Sequence, residues 1–365
     1  MGKKKKAEFY GVKEIARRAN VSIATVDRVI HNRPGVAVKT RDKINQIIKE
    51  LNYQPNILAS RLASRRVFRF ATLIPAVSDE TDYWQAPLAG IEQAESEIKQ
   101  YGVTVDKYFF DLNDKNSFTR EAQRVLESDP DGILVAPSFI DESIPFVQKC
   151  RQRNIPYVFI NSDIPEQESL CYIGPDLFHS GYLGARLTSY GTGEGKILVV
   201  NISKEIDNHH HLLRKEEGFR AWFADHGKAN EIHKIDIRET GYESVAAALS
   251  RTFADHPDIR AVFVTNSRIS TVAAFFEKRR EGKYLDTPNK GQHPVILIGY
   301  DFLEKNIEYL EKEIIDFLIC QQPDEQGYLG IRNLYQSQVL GKPVEKVHFM
   351  PIDIVARENY SVYKN

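Results

Sequence analysis

Asn266 and Asp301 stand just behind two short apolar runs, 261–264 and 295–298, and Tyr83-Trp84 follows a third, 70–74, after one short loop. Aromatic rings beside amide and carboxylate groups suit the holding of a polyhydroxylated ring. The rings cover its C–H faces, while Asn, Asp and Gln offer paired donors and acceptors to its hydroxyls. Each residue also has a plainer reading. Tyr83 and Trp84 suit core packing, Asn266 suits a turn that ends a strand, and Asp301 suits the N-cap of a following helix. The run Asn208-His209-His210-His211 invites metal ligation. Adjacent histidines point about 100° apart on a helix and to opposite faces on a strand, so three in a row rarely converge on one ion. No metal is expected there. A ligand contact by one histidine and plain surface packing stay open. Cys150, Cys171 and Cys320 are odd in number and far apart, giving neither a disulfide framework nor a zinc spacing.

Reaction chemistry is harder to find. No G-x-G-x-x-G opens the first unit after residue 67, and neither a G-x-x-x-x-G-K-[ST] loop nor a G-x-S-x-G elbow occurs. No base or nucleophile stands in a recognisable constellation, so the chain is expected to be neither an enzyme nor a cofactor carrier.

The elements that must position the first set of residues alternate regularly. Strands are predicted at 70–74, 103–109, 133–136, 157–160, 197–202, 261–264 and 295–298. Amphipathic helices are predicted between them at 87–101, 118–128, 143–153, 177–190, 213–226 and 244–254. Such alternation specifies βαβ units in parallel sheets, which collect strand C-termini, and whatever follows them, along one edge.

The charge is divided unevenly. Residues 1–66 hold 16 Lys and Arg against 5 Asp and Glu, whereas the remaining 299 hold 33 against 45. A basic head on an acidic body fits polyanion binding. In that head Val12, Ile15, Ala16 and Ala19 recur at helical spacing, as do Ile23, Val26, Val29 and Ile30. Asn20 can end the first helix in the left-handed conformation and Ser22 can cap the second. Two short helices joined so tightly form a helix-turn-helix. A third helix, with Thr40 as its expected cap, carries Ile44, Ile47, Ile48 and Leu51. A generic basic three-helix bundle is the alternative.

The ordered run Val12-Lys13-Glu14-Ile15-Ala16, then 20–30, 38–41 and 51–63, closely resembles the DNA-binding head of the lactose/galactose repressor (LacI/GalR) family of bacterial transcription regulators. The resemblance implies that Ser22, Ile23, Ala24, Thr25, Arg28, Thr40 and Arg41 form the DNA-binding set. Ile23, Ala24 and Arg28 would meet base edges, with Arg28 suited to a guanine. It also implies a hinge helix at about 56–63, in which Asn56 and Leu62 contact DNA and Leu62 wedges into the minor groove. Asp27 stands where the family usually has a small hydroxyl residue, and either a cytosine amine or Arg28 could partner it.

Residues 67–365 resemble the type 1 periplasmic binding protein fold, which serves that family as effector domain. The likeness is sharpest at Ile74-Pro75 with Tyr83-Trp84, at 155–161, at 214–219, at 262–266 with 298–301, and at 321–327. It implies an effector-binding set of Tyr83, Trp84, Asn161, Lys215, Asn266, Asp301 and Gln321, to which His210 is added as the one histidine of its run expected to touch the ligand. Asn161 replaces a frequent Asp and Lys215 a usual Arg, which leans weakly toward an acidic sugar.

The expected architecture is therefore α/β: an all-α helix-turn-helix head with hinge helix over 1–66, then a two-lobed body with parallel sheets over 67–365. The expected function is a ligand-responsive transcription regulator, most simply a repressor of carbohydrate-use genes. Its expected partners are a palindromic double-stranded DNA operator, a small sugar or sugar derivative, and a second copy of itself, because the chain ends at 363–365 with no room for a tetramerising heptad helix. A cytoplasmic location without membrane contact is expected, since no secretory signal or long apolar run is present. The alternative is a sugar-binding receptor or α/β sugar enzyme with an incidental basic arm.

Overall fold

Helix α1 (Val12–Ala19) buries Ile15, Ala16 and Ala19 and ends where Asn20 takes φ 57°, ψ 50°, its N–H turned back to the Ala16 and Arg17 carbonyls. That left-handed residue supplies the turn a glycine would otherwise make. Helix α2 (Ile23–Ile30) follows at once and buries Val26 and Val29. The Ser22 Oγ caps it by accepting the Thr25 N–H at 3.1 Å. Helix α3 (Val38–Glu50) brings Ile44 and Ile47 onto the same small core. It begins earlier than expected: Ala37 is the capping residue, and its carbonyl accepts the Thr40 and Arg41 N–H groups at 3.0 Å. Thr40 thus lies inside the first turn instead of capping it.

The computed structural model describes residues 11–30, 33–51, 53, 66–78, 82–206, 210–280 and 295–363. The chain divides into two units, Met1–Arg66 and Val67–Asn365.

In the larger unit, strands β1 (Phe68–Pro75), β2 (Val103–Phe110), β3 (Gly132–Val135), β4 (Tyr157–Ile160) and β5 (Cys171–Gly174) join β11 (Val347–Phe349) in a parallel sheet of order β11-β5-β4-β3-β1-β2. Helices α4 (Gln85–Ile98), α5 (Lys115–Glu127) and α6 (Ile140–Gln152) connect its first strands. After β5 the chain crosses to a second lobe through α7 (Leu177–Thr192). There β6 (Lys196–Ile202), β7 (Ile232–Ile237), β8 (Ile259–Val264), β9 (Ile296–Tyr300), β10 (Phe317–Cys320) and β12 (Asp353–Val355) form a sheet of order β12-β10-β9-β8-β6-β7. Only β12 runs antiparallel to its neighbour. Helices α8 (His210–Asp225), α9 (Tyr242–Asp255), α10 (Ile269–Arg280) and α11 (Glu304–Glu311) belong to this lobe, and α12 (Pro323–Leu334) returns to the first. Three crossings therefore join the lobes: after β5, after β10, and between β11 and β12.

Both faces of the second sheet are covered, as parallel sheets require. Leu198, Val262 and Leu297 pack on one side, and Val199, Phe263 and Ile298 on the other. The terminal run, outside the expected strands, holds two, β11 and β12, each closing a different sheet. The exposed Val347 and Phe349 show why its pattern misleads, since β11 is an edge strand with little burial.

Each lobe contains one very close helix pair. A Cβ on Gly90 of α4 would stand 1.8 Å from the Asp324 carbonyl oxygen of α12, and one on Gly327 would stand 2.1 Å from that of Pro87. In the second lobe a Cβ on Gly181 of α7 would meet the Lys215 carbonyl oxygen at 1.9 Å, and one on Gly218 of α8 that of Phe178 at 1.9 Å. Only glycine permits backbones to approach so closely.

Candidate functional site

In the head, the apolar stripe of α2 faces inward and leaves Ser22, Ile23, Ala24 and Arg28 exposed, with Thr25 half-buried. Ile23 is 49% exposed, a large apolar side chain at the start of a polar face. Asp27 pairs with Arg33 at 3.2 Å instead of with Arg28, which resolves one of its two expected roles against the neighbour. On α3, Thr40 and Arg41 are half-buried, and Arg41 donates to the Arg33 carbonyl at 3.2 Å. Asn56 and Leu62 lie outside the described residues.

In the body, a cavity of about 70 Å³ lies between the strand ends of the two sheets. Its wall includes Tyr83, Trp84, Asn161, Lys215, Asn266, Asp301 and Gln321, seven of the eight expected effector residues. Asn161 follows β4, Asn266 follows β8, Asp301 follows β9 and Gln321 follows β10, so the parallel strands bring them together.

The first lobe contributes two rings set nearly edge to face, Tyr83 and Trp84, with centroids 5.2 Å apart at 84°. Asn161 donates its side-chain amide to the Tyr83 hydroxyl at 2.7 Å, and its own N–H goes to the Gln326 side chain at 3.0 Å. Gln326, buried on α12, donates in turn to the Gln321 carbonyl at 2.8 Å. One side chain thereby ties the end of β4 to the crossing after β10.

The second lobe contributes the charges. Lys215 is 3% exposed, and its Nζ sits 3.5 Å from the centre of the Tyr300 ring and 3.3 Å from the Thr265 carbonyl oxygen. Burial pulls its pKa down to about 8, with the charge of Asp301 acting the other way. Asp301, in the left-handed region at φ 77°, accepts the Gln321 amide at 3.0 Å. Burial pushes its carboxyl up to about 6, against the opposing influence of Lys215 and Gln321. Its side chain caps no helix: α11 begins three residues later with Leu303 as the capping residue. The polar site reading therefore fits Asp301 better than the cap. Asn266 is more constrained. Its amide donates to the Ile202 carbonyl at 2.7 Å and its oxygen accepts the Arg268 N–H at 3.2 Å, so it is a strand-end turn residue as well as part of the wall.

His210 does not line this cavity. It faces a neighbouring cleft with Asp163, Tyr172, Arg214 and Phe349, 3.8 Å from the Asp163 carboxylate, and burial lowers its pKa. The next residue, His211, lines the cavity instead. With both on α8, the 100° step between adjacent positions sends the two rings to different clefts. Among the described residues no cluster of His, Cys, Asp or Glu suits a metal ion.

Asn113, Ser138, Ser203 and Arg268 also line the cavity and were not singled out from the sequence. The signal that identified Asn266 applies to them too, because each stands within a few residues of the C-terminal end of β2, β3, β6 or β8.

Residues 11–56 match the family of bacterial regulatory proteins, lacI family, and residues 70–343 match a periplasmic binding protein domain. Catabolite control protein A of Staphylococcus xylosus is 34% identical over 131 residues, 36% of this chain and 38% of that protein. A Bacillus subtilis protein assigned as the HTH-type transcriptional repressor ExuR is 33% identical over 159 residues, 43% of this chain and 44% of that protein. The chain thus matches less than half the length of either relative. A Bacteroides fragilis structure assigned as a LacI transcriptional regulator superimposes with TM-score 0.73 at 27% identity, covering 82% of this chain and all of that one. The glucose-galactose binding protein GanP of Geobacillus stearothermophilus shares the fold, with TM-score 0.69 at 22% identity over 80% of this chain and 99% of its own. With a two-lobed body matched over 274 residues, the chain belongs to the proteins that carry a periplasmic binding protein domain, and its helix-turn-helix head matches the lacI family of bacterial regulatory proteins.

Proposed function

We propose that this protein is a transcription regulator, a repressor of carbohydrate-use genes, that binds a palindromic operator as a homodimer and is controlled by a small sugar or sugar derivative. One observation carries the reading: a single chain combines an exposed Ile23, Ala24 and Arg28 face on α2 with a buried cavity of paired aromatic, amide and charged groups. The first is shaped for a major groove, the second for a hydroxylated ring. The DNA-contact roles of Ser22, Thr25, Thr40, Arg41, Asn56 and Leu62, and the effector roles of the cavity residues, belong to the same proposal. So does the assignment of DNA binding to 1–66 and of effector binding and dimerisation to 67–365. No described helix is long and apolar enough to cross a membrane, which agrees with a regulator working in the cytoplasm. The relatives' names are those of regulators, which supports a binding protein over an enzyme.

The test is selection from random duplexes with the full chain, followed by gel-shift titration of the enriched sequence with and without sugars. Enrichment of a two-fold symmetric sequence that a sugar releases supports the reading. Binding without any sequence preference overturns it.

A further inference from the structure

We propose that Arg33 is a further DNA contact, an arginine that binds a backbone phosphate of the operator and that the Asp27 carboxylate holds in position beside α2. This rests on the head being the part that binds the operator.

Asp27 is the starting point because a carboxylate on a DNA-facing helix works against the charge of its target. It stands directly before Arg28 and one turn after Ile23, and its side chain is 46% exposed. A like charge there repels phosphate. In the structure the Arg33 guanidinium meets it, with Nη1 donating to Oδ2 at 3.2 Å. An ion pair this open to water contributes little to the stability of a fold, so stability does not account for it. The pair does two other things. It offsets a negative charge on the exposed side of α2, and it fixes the direction of an Arg33 side chain that is itself 61% exposed.

The backbone delivers Arg33 to that place. Its N–H donates to the Arg28 carbonyl at 2.8 Å, so the chain folds back against the last turn of α2. Pro34 comes next, and the residue before a proline is disfavoured in the helical region, which keeps the helix from running on through Arg33. The Arg33 carbonyl in turn accepts from the Arg41 guanidinium at 3.2 Å. Arg33 is thereby tied to Arg28 on one side and to Arg41 on the other, both of them in the expected DNA-binding set. A guanidinium carries five N–H donors in a planar fork suited to phosphate, and Asp27 occupies one edge of it. Because the side chain is already held, less rotamer freedom is lost when the phosphate arrives. The place of Arg33, past the C-terminal end of α2, suits a backbone contact, since base edges are read from the N-terminal part of a recognition helix.

The experiment is a salt titration of DNA affinity with the full chain, on the duplex enriched by selection and on a scrambled one. Each phosphate contact steepens the fall of log affinity with log salt by about 0.9. Arg33→Ala should make the slope shallower by about 0.9 for each head bound, or about 1.8 for two heads on a two-fold symmetric site. The loss should be similar on both duplexes, as for a contact that reads no base. Arg33→Lys keeps the charge and should keep the slope. Asp27→Asn tests the positioning role, because it should favour binding more in the Arg33→Ala background than in the otherwise wild-type chain, where it also releases Arg33. Circular dichroism melts identify a variant that fails to fold, and Arg33→Gln then takes the place of Arg33→Ala. A wild-type slope without the Arg33 charge, a loss confined to the selected duplex, or an equal effect of Asp27→Asn in both backgrounds overturns the inference. Each of these outcomes leaves the regulator reading in place, which falls only if the wild-type chain selects no sequence.

Discussion

The Asn161 amide donates to the Tyr83 hydroxyl at 2.7 Å, joining the end of β4 to the segment that leads into α4. Both groups are on the cavity wall, so the bond orients a ring that a ligand would touch. Tyr83→Phe removes the acceptor and leaves the amide short of a partner. A loss of about 1 kcal/mol in stability is expected, with a several-fold weaker effector affinity. Denaturant melts and calorimetry measure the two, and unchanged affinity would show that the orientation of the Tyr83 ring does not matter to the ligand.

Arg28→Ala should abolish operator discrimination and leave effector binding intact. Arg28 is exposed on α2 beside Ile23 and Ala24, and a lost bidentate guanine contact costs about 1–3 kcal/mol. The ratio of affinities for the selected and a scrambled duplex is the quantity to measure. If that ratio does not move, Arg28 touches only phosphate.

Gly181→Ala tests the close helix pair of the second lobe. The new methyl would stand 1.9 Å from the Lys215 carbonyl oxygen, a backbone atom that cannot swing aside. Overpacking of this kind costs about 1–3 kcal/mol, and displacement of α8 would carry Lys215 with it. Gly241→Ala, where nothing lies within 4 Å, is the control. Equal melting temperatures for the two variants would contradict the packing described.

Asp301 makes stability depend on pH in a direction opposite to most carboxylates. Its folded value of about 6 lies above the ordinary 3.8, so the native state keeps a proton that the unfolded chain releases. Stability therefore falls as pH rises through about 4 to 6. Asp301→Asn carries no such proton. Its melting temperature relative to the wild type should rise across that window, and a pH-independent difference would mean that Asp301 titrates normally. The same variant lacks the charged acceptor, so it should bind operator but respond poorly to effector.

The elements most legible in the sequence are those whose pattern coincides with burial. Asn20 and Ser22 mark the turn before α2 through local backbone chemistry, and β4 at Tyr157–Ile160 is a clean apolar run. Strands β5 and β10 lie outside the expected set: β5 ends in Gly174 directly before Pro175, which reads as a turn, and Asp316 splits the apolar run that leads into β10. β7 was missed as a charged edge strand. In the site, Asp301 and Asn266 were legible because they stand behind obvious strands. The placing of His210 and His211 in different clefts was not, since it depends on the phase of α8 about its own axis. Nor was Gln326, whose role exists only when β4, β10 and α12 are assembled.

The close helix pairs also bear on how the lobes can move. Because glycines clamp α4 to α12 and α7 to α8, neither lobe has slack of its own along its helical face, and relative rotation must be taken up as torsion in the three crossings. Gln321 sits in one of them. Gln326 fastens its backbone to Asn161, in the frame of the first lobe, while its side chain holds Asp301, in the frame of the second. The 3.0 Å bond between Gln321 and Asp301 thus latches the seam between the lobes, and a ligand that bonds both residues would load that latch directly.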